Sequence, residues 1–173
     1  MLFKASLNQS KKQLMIVDSE QAHFDDANQV VVKIGTAFTR SGGAKKLGRV
    51  VEIPPGGFAV SDDDDTRNAL ERLTGIKLQA IFVQNVPYLA CLFSLSEVEP
   101  DYEGSTSYVD GTSVSGFAKK KGIFIEEKQV SVDCFVPKNT GYRIVNQRAR
   151  TVLESTFPNW FEFTELSEVV YYV

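Results

Sequence analysis

Apolar and polar positions alternate along much of this chain with the period of two that a half-buried strand requires. Residues 2–7 and 13–17 read as short strands. Residues 29–38 follow, where Val30, Val31 and Val32 put three β-branched side chains in a row. Residues 49–53 form the next strand, and a glycine-rich turn at 40–48 makes 29–53 a hairpin with a long tip. Residues 77–84 and 87–95 give a further pair. The run Tyr88-Leu89-Ala90-Cys91-Leu92-Phe93 has no polar alternation, which predicts a strand at the centre of the sheet, buried on both faces. Residues 122–127 and 129–136 read as another hairpin, and 159–164 as a short aromatic strand. Segment 96–121 holds only short strand-like pieces.

Two stretches carry helical signals. Ser61 and the run Asp62-Asp63-Asp64-Asp65 supply capping oxygens and first-turn carboxylates, which complement the orphan N–H groups and the dipole of a helix start. A helix over 62–74 follows, with Ala69, Leu70 and Leu73 on its apolar face and Gly75 placed to end it. A second helix is predicted over 141–156. There Tyr142, Val145, Ala149, Val152 and Thr156 share one face, opposite Arg143, Gln147, Arg150 and Glu154. The expected fold class is α+β: a mixed or mainly antiparallel sheet of about eight or nine strands with these two helices packed on it. No linker or repeat interrupts the chain, so a single domain is expected.

Composition narrows the function classes. At 173 residues, with 43% hydrophobic and 24% charged side chains, the chain can bury a core without disulfides or a structural metal. A net charge of −3 gives no global attraction to nucleic acid or to an anionic membrane. No apolar run approaches the ~20 residues that a membrane helix needs, and Met1 to Asn8 is too short and too polar for a signal peptide. Cys91 and Cys134 lie in apolar runs and read as buried core thiols. A soluble, cytoplasmic protein is expected.

Candidate chemistry is sparse. His23 is the only histidine and sits in an acidic, polar stretch, with no nucleophile signature around it. Asp62, Asp63, Asp64 and Asp65 could supply oxygen ligands to Mg²⁺ or Ca²⁺, though helix capping already accounts for them. Residues 40–49 hold Arg40, Lys45, Lys46 and Arg49 with no acid among them. With the exposed backbone of nearby glycines, Gly56 and Gly57 included, they form a candidate anion or nucleotide site. Lys45, Lys46, Arg49 and Lys119 to Lys121 are the residues a nucleic acid would use, weighed against the acidic total. Tyr102, Tyr108, Trp160, Tyr171 and Tyr172 are candidate interface aromatics.

One stretch resembles the Nudix hydrolases. It runs Val50-Val51-Glu52-Ile53-Pro54-Pro55-Gly56-Gly57-Phe58, then the acidic helix, then Ala69-Leu70-Glu71-Arg72-Leu73-Thr74-Gly75-Ile76. The order strand, Pro-Gly-Gly loop, helix, Thr-Gly-Ile is that of the Nudix pattern. The resemblance covers residues 50–76 and implies a mixed sheet with helices packed on it. It also implies a non-hydrolysing member, because the two adjacent metal-binding glutamates fall on Arg72 and Leu73, and the Arg-Glu pair on Asn68 and Ala69. The aspartate run lies at the other end of the helix from those positions.

Together these features point to a non-catalytic binding or interaction domain with a protein partner or self-association. It would act as an accessory, inhibitory or assembly protein of the kind a phage or other mobile element carries. The alternative is a Nudix-like nucleotide-binding domain or divergent phosphohydrolase, and after that nucleic-acid binding through the basic loops. No cofactor is expected, except Mg²⁺ in the Nudix-like case.

Overall fold

A computed structural model describes residues 1–8, 14–16, 22–24, 30–32, 37–39, 48–53, 56–83, 86–98, 106–110, 113–119, 125, 130–137 and 140–166. In chain order the elements are β1 (Leu2–Leu7), β2 (Leu14–Ile16), β3 (Ala22–Phe24), β4 (Val30–Val32), β5 (Ala37–Thr39), β6 (Val50–Ile53), β7 (Gly57–Ser61), α1 (Asp64–Leu70), β8 (Ile76–Val83), β9 (Val86–Ser96), β10 (Thr106–Asp110), β11 (Ser113–Lys119), β12 (Cys134–Pro137), β13 (Arg143–Asn146), α2 (Gln147–Thr156) and β14 (Phe161–Glu165). The main sheet has ten strands in the order β14-β1-β13-β12-β9-β7-β6-β2-β5, with β8 also on β9. Two parallel pairings, β12 with β9 and β2 with β6, make it mixed; its other pairings are antiparallel. The α+β class, with two helices packed on a mixed sheet, is the architecture observed.

β9 is central, as its apolar run demands. It pairs with β7, β8 and β12, and Leu89 to Phe93 are buried on both faces. On the face covered by the helices, Leu70 and Leu73 from the α1 region and Ala149 and Leu153 from α2 meet Phe3, Phe58, Val60, Leu89, Cys91 and Val145. Phe58 stands at the middle of this layer. Its ring contacts Phe161, Phe93 and Phe157 edge-on, with centroids 5.0, 6.0 and 6.4 Å away, a geometry that aromatic quadrupoles favour. A smaller cluster of Leu2, Phe135, Ile144 and Leu166 is fed by alternate positions of the same strands. Cys91 and Cys134 are free and fully buried, and burial pushes both thiols above their ordinary range.

Several boundaries differ from the sequence expectation, each for a physical reason. Residues 143–146 are strand β13, and the second helix starts only at Gln147. Ile144 and Val145 send their branched side chains to opposite faces of the sheet, and Asn146 caps the helix by accepting from the Ala149 N–H at 2.9 Å. The first helix is seven residues long. Asp63 caps it, accepting from the Thr66 N–H at 2.8 Å and its hydroxyl at 2.9 Å, and past Leu70 the Leu73 N–H closes a tight turn on the Leu70 carbonyl. The expected hairpin over 29–53 does not form as such. β2 lies between β5 and β6, while β4 pairs with β3, which places His23 in a strand. The strand expected from 129 pairs only from Cys134, and most of its expected partner, 122–127, lies outside the described residues.

That last shift traces to Asp133. Its buried carboxylate accepts from the Thr74 N–H (2.9 Å) and hydroxyl (3.0 Å), from the Asn146 amide (2.8 Å) and from Arg148 (3.1 Å). Its own N–H donates to the Thr74 hydroxyl at 3.0 Å, and Arg148 also donates to the Arg72 carbonyl at 2.7 Å. One side chain thus ties the end of the α1 region to the start of α2. Burial alone would raise the Asp133 pKa. The Thr74 N–H, the Asn146 and Thr74 side chains and the Arg148 charge together hold it below the ordinary carboxylate value. Beside it, Gly75 has φ +75°, and a Cβ there would collide with the Cys134 carbonyl.

Two outcomes are expected. Because the folded Asp133 carboxyl titrates below its unfolded value of about 3.9, its stabilisation is full above that pH and is lost as pH falls through the folded pKa. Asp133→Asn should cost about 2–3 kcal/mol at neutral pH, with the gap to the parent narrowing towards pH 3. Urea unfolding at both pH values measures it, and an equal gap at both would refute the role. Gly75→Ala should cost about 1–2 kcal/mol from backbone strain alone, before the collision is counted. A variant with an unchanged urea midpoint would show that the left-handed turn is not required.

Candidate functional site

β1 and β13 run antiparallel, with Lys4 opposite Ile144 and Ala5 opposite Arg143. In the order of the sheet, β13 stands four strands from β6. Flat, that is about 19 Å at 4.8 Å per strand. Yet Arg143 Nη2 lies 3.3 Å from Glu52 Oε1 on β6, and Nη1 donates to the Gly57 carbonyl at 2.9 Å. The sheet therefore curls until β1 and β13 face the β6–β7 turn. Both partners of the ion pair are mostly buried, with side chains 11% and 16% exposed.

The curl leaves a cavity of about 300 Å³ between these strands. Lys4, Ser6, Glu52, Tyr142 and Arg143 supply its polar wall, and Ala5, Leu7 and Gly141 complete it. Lys4 is half-buried. Its ammonium sits 4.4 Å from the centroid of the Tyr142 ring, a cation–π contact worth about 0.5–1 kcal/mol at a partly exposed site. None of the described carboxylates pairs with it. Burial first, and the Arg143 charge second, hold its pKa below the ordinary lysine value. A cation in this position is desolvated, repelled by a neighbour and only partly compensated by an aromatic face.

The residues singled out in the sequence are distributed as follows. Arg40, Lys45, Lys46, Tyr102, Tyr171 and Tyr172 lie outside the described residues, and Tyr108 is described only as part of strand β10. Arg49 is exposed, with its guanidinium 5.3 Å from the Phe157 ring centroid. It precedes β6 at the open end of the β6–β7 hairpin, whereas Gly56 and Gly57 sit at the closed end. About four residues of strand, roughly 13 Å, separate them, so Arg49 and the two glycines do not converge. Gly56 and Gly57 are needed for close packing: a Cβ would stand 2.7 Å from Val136 Cγ2 on the first and 3.0 Å from the Cys91 carbonyl on the second. The Gly57 carbonyl, through Arg143, joins the Pro-Gly-Gly turn to the cavity.

Asp62 receives Arg67 on both oxygens, at 2.7 and 2.9 Å. Asp63 is the helix cap, and Asp64 and Asp65 are exposed in the first turn. Among the described residues no cluster of three or more His, Cys, Asp or Glu side chains is placed to hold a metal ion. Trp160 is half-buried against the core, and its ring closes over Gly48.

Lys4, Glu52, Tyr142 and Arg143 were not singled out as a site by the sequence. The only signal for Lys4 is a charge inside an otherwise alternating strand, and Arg143 read as part of a polar helical stripe. Neither the protein-family models nor the curated proteins give a match to this chain.

Proposed function

We propose that this chain is a non-catalytic binding domain that holds an anionic group of its ligand against Lys4, in the cavity between β1, β13 and the β6–β7 turn. The observation that carries this reading is that Lys4 lines the cavity, is half-buried and meets no described carboxylate. An incoming anion recovers Coulomb energy at reduced dielectric, which a solvated surface lysine could not offer. The rest of the cavity suits holding better than turnover. Glu52, its one described carboxylate, is engaged by Arg143. That ion pair occupies Glu52 Oε1, an oxygen that a general base would have to offer to a substrate proton.

A second reading, a Nudix-like nucleotide binder, has one specific support. The order β6, β7, α1, Gly75, β8 is that of the pattern, and Arg143, which lines the cavity, donates to the Gly57 carbonyl at the start of β7. In that case the anion is a nucleotide phosphate.

Thermal shift with inorganic phosphate, nucleotides with and without Mg²⁺, and small carboxylates tests both. A true ligand at a hundred times its Kd should stabilise the fold by about 2.7 kcal/mol. Lys4→Met should weaken that ligand about ten-fold or more, the loss of one charged hydrogen bond. Without ligand, Lys4→Met should be neutral or stabilising by up to about 1 kcal/mol, because a desolvated cation is removed. A parent protein that no anion stabilises, or a variant that binds equally well, would count against the assignment.

A further inference from the structure

The two edges of β1 are paired to different lengths. The Asn8 N–H donates to the Trp160 carbonyl at 2.9 Å, which fixes the phase of the strand. Even-numbered residues of β1 bond to β14 and odd-numbered ones to β13. β13 keeps the same phase, because its Asn146 N–H points away from β1, to the Asp133 carbonyl at 2.9 Å. Phe3 therefore bonds to Val145 and Ala5 to Arg143, and there the pairing with β13 ends. The pairing with β14 runs on to Leu7.

Leu7 has an odd number, so its main-chain N–H and C=O point in the plane of the sheet towards the side that β13 flanks only as far as Ala5. Continued in register (Ala5 with Arg143), the line of β13 would set Gly141 opposite Leu7. Gly141 and Tyr142 are not paired with β1. Among the described residues neither main-chain group of Leu7 has a hydrogen-bond partner, although the residue is only 4% exposed. Buried main-chain groups are seldom left so, because an unpaired one costs about as much as a lost hydrogen bond. Leu7 and Gly141 both line the cavity, and a Cβ on Gly141 would meet nothing within 4 Å. The unpaired edge thus has room beside it.

A donor and an acceptor on the same side of one strand residue are met together by the main chain of another extended segment, which offers a C=O and an N–H at matching spacing. The ligand residue opposite Leu7 would set its side chain on the same face as Leu7. Leu7 belongs to the apolar core cluster, so an uncharged residue fits there.

We infer that the cavity takes a short extended peptide segment, which carries on the line of β13 and bonds through its main chain to the N–H and C=O of Leu7. This goes beyond the anion assignment and stands on different atoms, the main chain of Leu7 and the space at Gly141.

Amide hydrogen exchange followed by NMR on the full chain tests it. The probes are tetrapeptides of Val and Thr with acetyl and amide ends, carrying Gly, Ala, Val or Leu at the second position, so none is charged. In the free protein the Leu7 amide should exchange at least about ten-fold faster than those of Phe3 and Ala5, which sit in the ladder. A saturating probe should slow Leu7 by about ten-fold or more and leave Phe3 and Ala5 unchanged. The same probe methylated on its main-chain nitrogens should bind about three- to ten-fold more weakly, or worse, having lost its strand hydrogen bonds. Gly141→Val and Gly141→Leu, each checked for its fold by circular dichroism, fill the space beside Leu7 and should weaken the probe about ten-fold or more. If the Leu7 amide of the free protein exchanges as slowly as that of Ala5, the edge is already paired and the inference falls. It falls also if no probe slows Leu7, or if the methylated probe protects it equally. Slowing by raised protein concentration alone would give the edge to a second copy of this chain instead. Failure on any of these counts leaves the Lys4 assignment to its own test.

Discussion

Along β9 the chain changes partners. Up to Phe93 its neighbour is β8, which pairs Ile76 with Phe93. From Ser94 the partner is β12, which pairs Phe135 with Ser94. The handover is hydrogen-bonded: Ser94 donates to the Gly75 carbonyl and Cys134 to the Thr74 carbonyl. It requires the backbones at Gly75 and Cys134 to touch, which is why position 75 tolerates no Cβ. There the pairing of β8 ends and the parallel strand β12 takes its place along β9. The curl brings β13 and β1 round to β6, and the Lys4 cavity exists because of it. Asp133, one residue before β12, holds the same junction from the side by binding Thr74, Asn146 and Arg148.

Much of this fold is legible in the sequence, but only where the signal is local. The β8–β9 pair, the Asp63 cap, the turn at Gly75 and the aromatic strand after Pro158 depend on residues within a few positions of one another. The failures share a cause. Tyr142 and Val145 are three apart, a spacing that shares one face of a helix but falls on opposite faces of a strand, and the two do pack in different clusters. What decided the matter was a place in the sheet between β1 and β12, which no local pattern announces. The insertion of β2 between β5 and β6 is a pairing choice of the same kind. For the site, Lys4, Glu52 and Arg143 carry meaning only together, and the curl that unites them is a property of the whole sheet.

The likeness to the Nudix pattern looks different once packing is known. Its matching positions here are largely glycines and apolar residues, and Gly56, Gly57 and Gly75 each stand where a neighbouring strand leaves no room for a side chain. These glycines answer a demand of this architecture whether or not any phosphate chemistry accompanies it. The aspartate run, the most conspicuous feature of the sequence, also serves the local fold: two of its members hold Arg67 and Thr66.

Arg143 bonds to partners 86 and 91 residues away along the chain. Contacts of such separation form only after long loops have closed, and closing them costs entropy before any contact repays it. The cavity is thus among the last features the chain can complete, and no local fragment contains it. Its presence reports on the integrity of the entire sheet, so a nascent or partly unravelled copy lacks it.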